Sequence, residues 1–122
     1  MAQARQQHKV GRSQDFAIGQ MKLFELQGRE IGVIRLPGGD LRAINNWCPH
    51  KGAPICRGIV GGTWRSNGPG DLTLDSGSVA LACPWHGFEY DLATGEEVCW
   101  RRPTRLRMYG VEEVDGEVIV TL

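Results

Sequence analysis

No apolar run in this chain approaches the roughly 18 residues that a membrane span needs. The opening MAQARQQHKV has neither an apolar core nor a small-residue cleavage site, so no secretory signal is read there. Neither sign of charge prevails: 14 Lys and Arg balance 14 Asp and Glu, and the basic residues are scattered. That balance argues against nucleic acid or an acidic membrane as a partner, since both select a clustered basic surface. The Arg101-Arg102 pair reads as a solvated strand edge. No helical stripe of even three turns is present, and no G-x-G-x-x-G fingerprint for a flavin or nicotinamide cofactor. Cysteine and histidine are scarce, at four and three. Together these features predict a soluble, cytoplasmic protein in whose compartment cysteines are reduced, so that spaced Cys and His residues read first as metal-binding or catalytic.

What is present is glycine and short apolar segments. At 122 residues the chain is expected to be a single domain spanning 1–122. MKLFELQ alternates Met21, Leu23 and Glu25 against Lys22, Phe24 and Leu26, and EIGVIRL and LRAIN follow it. QGR and PGGD separate these segments, and glycine turns of that kind close β-hairpins because glycine reaches positive φ without steric cost. Near the end, Asp115-Gly116 lies between YGVEEV and EVIVTL, the strongest local hairpin signal. The fold class is therefore all-β, with many short strands. Residues 1 to about 8 are polar and expected to fray. Residues 61–78, GGTWRSNGPGDLTLDSGS, read as an extended loop enclosing at most a short hairpin around Leu72 to Leu74.

The scarce residues are concentrated. NWCPHKGAP places Cys48 and His50 two positions apart, and CPWHGFEYDLATGE places Cys83 and His86 three apart, with 34 residues between the cysteines. LRAIN leads into the first pair and SVALA into the second, so both sit in strand-end loops that could converge on one centre. Thiolates are soft donors and imidazoles borderline ones, which suits zinc or an iron–sulfur cluster and excludes calcium or magnesium. A Cys2His2 zinc module usually takes both cysteines from one short knuckle. Here each loop supplies one of each, a pattern that sorts the ligands onto two metals.

These motifs resemble the Rieske [2Fe–2S] signature, Cys-x-His followed by Cys-x-x-His. WCPHKGAPICRG and CPWHGFEYDLATGE are similar to Rieske-type ferredoxins and to the Rieske domains of ring-hydroxylating oxygenases, over a stretch from about Lys22 to the C-terminus. The resemblance implies stacked antiparallel sheets, three in number, and a cluster-binding subdomain over about 47–90 carrying the long 61–78 interval. It implies one [2Fe–2S] cluster, with Cys48 and Cys83 on one iron and His50 and His86 on the other. Lys51, Gly52, Pro84, Trp85, Gly87 and Tyr90 flank those ligands, and Trp85 with Ala53, Pro54 and Phe88 would shield the cluster. The excess length at 61–78 reads as a tolerated insertion, or as a flap near the cluster that shapes a docking surface. Respiratory Rieske proteins carry an extra cysteine in each loop, joined as a disulfide; Ala53 and Trp85 stand there, and Cys56 and Cys99 read as small buried thiols. The respiratory serine position is Phe88. One hydroxyl donor fewer implies a potential near the lower end of the Rieske range, about −150 to 0 mV, with Tyr90 either a core residue or a donor that raises it. Trp47, Trp64 and Trp100 read as structural.

The function so implied is one-electron transfer, from a flavin-dependent reductase to a terminal oxygenase or another redox enzyme. The alternative is a non-shuttling subunit or redox-sensing module of a larger complex, like nitrite-reductase small subunits; a structural zinc protein is the third reading. After the cluster takes two histidines, only His8 remains, too few for the two-His-one-carboxylate iron of an oxygenase. The chain is therefore expected to be a carrier and not itself an enzyme; as a free carrier it is expected to be a monomer.

Overall fold

The computed structural model describes residues 6–49, 52–68, 71–84, 89–97 and 105–122. Nine strands are described: β1 Gln7–Arg12, β2 Lys22–Leu26, β3 Arg29–Arg35, β4 Leu41–Asn45, β5 Ile59–Gly68, β6 Asp71–Ala82, β7 Glu89–Asp91, β8 Met108–Val114 and β9 Glu117–Thr121. Among the described residues the only helical turns are short 3-10 segments at Ser13–Asp15 and Ile55–Arg57. None of them has a helix long and apolar enough to cross a membrane. The chain divides into two compact units, Met1–Asn46 with Arg107–Leu122, and Trp47–Leu106.

The first unit is a six-stranded sheet in the order β1-β9-β8-β4-β3-β2, with every strand pairing antiparallel. It joins two of the three sheets implied by the resemblance. Strand β8 pairs with β4 through Met108 and Tyr109, then with β9 from Gly110 onward. Asp115 and Gly116 both take positive φ, +51° and +76°, and close the β8–β9 hairpin as its Asp-Gly pair predicts. Gln27 and Gly28 do the same between β2 and β3. Residues 36–40, which include PGGD, form a wider loop, since Arg35 pairs with Leu41.

The core of this unit gathers Ile31 and Val33 of β3, Leu41 and Ala43 of β4, Val118 and Val120 of β9, and Phe16. Phe24 and Leu26 pack against it, whereas Leu23 on the alternate face of β2 is exposed. One expectation is corrected here. Gln7 and His8 do not fray but pair with Thr121 and Val120. Backbone hydrogen bonding by an edge strand needs no apolar pattern, so polarity alone misplaced them.

Arg35 fastens the Ser13–Asp15 turn to this sheet. Its guanidinium donates to the carbonyls of Phe16 (2.8 Å), Gly39 (2.8 Å) and Ser13 (3.1 Å), to Ser13 Oγ (3.1 Å) and to Glu113 (2.6 Å). The Ser13 hydroxyl also donates to Glu113, and it is this bond first, then Arg35, that holds the Glu113 carboxyl below its ordinary range. Arg35→Ala would remove the donor to the Phe16 and Gly39 carbonyls, and is expected to lower the unfolding free energy by about 2–4 kcal/mol in urea titrations. For Glu113 the folded pKa is depressed. Its contribution is therefore present above the ordinary carboxylate range and lost as pH falls through the depressed value. The stability difference between parent and Glu113→Gln should accordingly shrink on acidification, and shrink in high salt as well.

Candidate functional site

The second unit is built on a three-stranded antiparallel sheet, β5-β6-β7, and carries both Cys/His motifs. Cys48 lies three residues past the end of β4 and opens a tight turn. Its N–H donates to the Ala53 carbonyl (2.8 Å), and its carbonyl accepts from the Gly52 N–H (2.7 Å). Gly52 has φ +75°, and a Cβ there would lie 2.7 Å from the Trp47 ring, so conformation and space both demand glycine. Cys48, Ala53, Ile55 and Cys56 are buried, while Trp47 is 58% exposed.

Past the Ile55–Arg57 turn the chain meets the second motif. Gly58 lies so close to the end of β6 that a Cβ on it would fall 1.7 Å from the Ala82 carbonyl oxygen. Ala82 pairs with Ile59 on one side and Glu89 on the other. Cys83 follows at once, buried, at the mouth of the β6–β7 hairpin. Tyr90 stands opposite Leu81, fully buried, and its Oη lies 3.5 Å from Cys48 Sγ. The first motif's cysteine thus touches the hairpin that carries the second's. Of the sequence-derived site residues, Cys48, Gly52, Cys83, Pro84 and Tyr90 occupy these places. His50, Lys51, Trp85, His86 and Gly87 lie outside the described residues, as do Phe88 and Cys99.

The interval at 61–78 is not a loop. It belongs to a long hairpin in which β5 and β6 pair from Ile59–Ala82 to Gly68–Asp71, with shifts in register near Gly62 and Ser66. Its Gly, Ser and Asn content concealed a ribbon held by main-chain bonds. Cys83 follows the Ala82 end of β6, and the connection to β5 joins the Asp71 end. Sequence reading also missed Glu97, which is 5% exposed and faces Tyr90 across an antiparallel bridge. The sequence carries no local sign of this: Glu96-Glu97 reads as a solvated pair, and only the structure shows Glu96 turned outward to Arg105 at 2.6 Å and its neighbour turned inward.

The donors fit an iron–sulfur centre. Cys48 and Cys83 are buried thiols with no disulfide between them, and the Tyr90 hydroxyl is placed as a donor to a metal-bound thiolate sulfur would be. The family model of the Rieske [2Fe-2S] domain matches residues 6–110, and the chain belongs to that family, whose cofactor is a [2Fe–2S] cluster. Among individual relatives, apoptosis-inducing factor 3 of mouse and human is 30% identical over 82 residues, 67% of this chain but 11% of the relative. A human Rieske domain-containing protein is 30% identical over 87 residues, 71% of this chain and 47% of its own length. The chain thus spans less than half the length of these curated relatives. A nitrite reductase small subunit from Mycobacterium tuberculosis superposes with TM-score 0.75 at 20% identity, covering 98% of this chain and 97% of that one. The ferredoxin of carbazole 1,9a-dioxygenase from Nocardioides aromaticivorans gives 0.72 at 24% identity, covering 93% and 95%. At these identities the superpositions speak to the fold.

The contact of Gly58 with Ala82 is backbone against backbone and has no flexible side chain to yield. Gly58→Ala should therefore cost at least about 3 kcal/mol of stability, or prevent folding. Denaturation followed by tryptophan fluorescence checks this, and parental stability would contradict the close approach.

Proposed function

We propose that this chain is a one-electron carrier of the cytoplasm, passing electrons from a flavin-dependent reductase to a terminal oxygenase or a comparable redox enzyme. In this reading residues 1–122 are one Rieske domain, with the cluster-binding subdomain at about 47–90. Cys48 and Cys83 hold one iron, and His50 and His86 hold the other. The observation that carries the reading is the Cys48–Tyr90 contact, which brings the two motif loops onto one hairpin. When bound, the cluster supplies a single reversible electron.

The chain's own residues position and tune that centre. The Gly52 turn fixes the Cys48 sulfur, and the Gly58–Ala82 approach holds the second loop against the first. Burial of both thiols keeps water from them. The Tyr90 hydroxyl donates to the Cys48 sulfur, which favours the more electron-rich state and offsets in part the donor lost at Phe88. The imidazole edges of His50 and His86 are the electron exit and entry. A second iron of the oxygenase type has one histidine left to draw on, and His8 is committed to β1.

Support for the oxygenase assignment comes from the carbazole 1,9a-dioxygenase ferredoxin, a fold neighbour; a complex between oxygenase and ferredoxin in carbazole 1,9a-dioxygenase is also among the similar structures, matched over 27% of the chain concerned. The nitrite reductase small subunit, matched over nearly its whole length, favours a second reading as a fixed subunit of a larger enzyme. The two differ in behaviour. A carrier purifies as a red-brown monomer with two irons and two acid-labile sulfides, is reduced rapidly by a generic flavoprotein reductase, and releases the electron to a separate acceptor. A fixed subunit is reduced slowly unless its complex is present. Colourless protein without sulfide would defeat both readings. Tyr90→Phe is expected to retain the cluster and lower its midpoint potential by tens of millivolts, the effect of losing one hydrogen bond worth about 1 kcal/mol. An unchanged midpoint would assign Tyr90 to packing alone.

A further inference from the structure

Among the residues of the Trp47–Leu106 unit whose burial is described, Glu97 is the one buried charged side chain, 5% exposed. Its place follows from the sheet. Leu81 of β6 pairs with Tyr90 of β7, and Tyr90 in turn faces Glu97 across an antiparallel bridge. Directly opposed residues in antiparallel pairs project to the same face, with Cβ atoms about 4.5–5.5 Å apart. Leu81, Tyr90 and Glu97 therefore form one buried row, and the Tyr90 hydroxyl at its centre reaches Cys48 Sγ at 3.5 Å. The adjoining Glu96 already makes the surface ion pair with Arg105, so that bond does not require Glu97. Burying a carboxylate is costly, and an apolar residue would continue the Leu81–Tyr90 row without that cost.

We propose that Glu97 is a potential-setting residue, a buried negative charge that lowers the reduction potential of the cluster held through Cys48. The proposal rests on reading this site as a cluster centre. Reduction adds one electron to the cluster, and a fixed negative charge nearby disfavours that addition. As a general order of magnitude, a unit charge acting across about 10 Å at an effective dielectric of about 20 changes such an equilibrium constant by about tenfold. Tyr90 and Glu97, neighbours on one sheet face, thus act with opposite signs: the hydroxyl raises the potential and the carboxylate lowers it. Removing the charge shifts the equilibrium in the same direction whatever cation or donor the carboxylate engages.

The test is a spectroelectrochemical titration of the whole protein at fixed pH. Glu97→Gln, close to isosteric, should be easier to reduce by about tenfold, equivalent to 59 mV for one electron. Glu97→Asp keeps the charge and should stay close to the parent. Glu96→Gln, a change on the exposed side, should move the midpoint little because solvent and salt screen it. A Glu97→Gln protein with full iron and sulfide content and the parental midpoint would overturn the proposal. Should that variant fail to fold, redox difference infrared spectra of the parent with labelled glutamate decide the matter. A perturbed carboxylate band supports the buried charge, and a protonated carboxyl band, or no response, overturns it. Parent protein lacking iron and sulfide would instead defeat the underlying reading of the site, a result distinct from any of these.

Discussion

One contact organises the candidate site: the Tyr90 hydroxyl against the Cys48 sulfur, joining positions 42 residues apart in the chain. Neither loop could hold a shared centre alone. The first is short and closed on itself by the Cys48–Ala53 and Gly52–Cys48 hydrogen bonds. The second is only the connection between two strands. They are brought into register by β6 and β7, by the Gly58–Ala82 approach and by Tyr90. In this reading, donors held in fixed positions would keep the change in geometry on electron transfer small.

The same hairpin explains how a domain of this kind separates chemistry from scaffold. The six-stranded unit contributes stability through its own apolar core and the Arg35 network. The three-stranded unit carries the donors on its loops, where sequence can vary without loss of the sheets. The β5–β6 ribbon extends that sheet away from the end bearing Cys83. A long addition is tolerated there because its bonds are internal to the hairpin.

Much of this was legible in sequence where the signal is local. The Asp115-Gly116 turn, the strand LRAIN and both Cys/His motifs declare themselves within a few residues, because turn chemistry and ligand spacing are short-range. What stayed hidden depends on partners distant along the chain. The pairing of Gln7 and His8 with the C-terminal strand is made by backbone groups and leaves no mark in side-chain pattern. The ribbon was concealed by its Gly and Ser content, and the face of β2 that packs on the core, Phe24 and Leu26, could not be chosen over Leu23 from alternation alone. Glu97 was overlooked because Glu96-Glu97 reads as a solvated pair until the bridge to Tyr90 turns one of them inward.

The central claim is that two chemically unlike irons share this site, one bound by thiolates and the other by imidazoles. Mössbauer spectroscopy of the oxidised, iron-57-enriched protein addresses it most directly. Two quadrupole doublets of equal area with distinct isomer shifts are the predicted result, and a single doublet from equivalent irons, or the absence of an iron signal, would contradict the account.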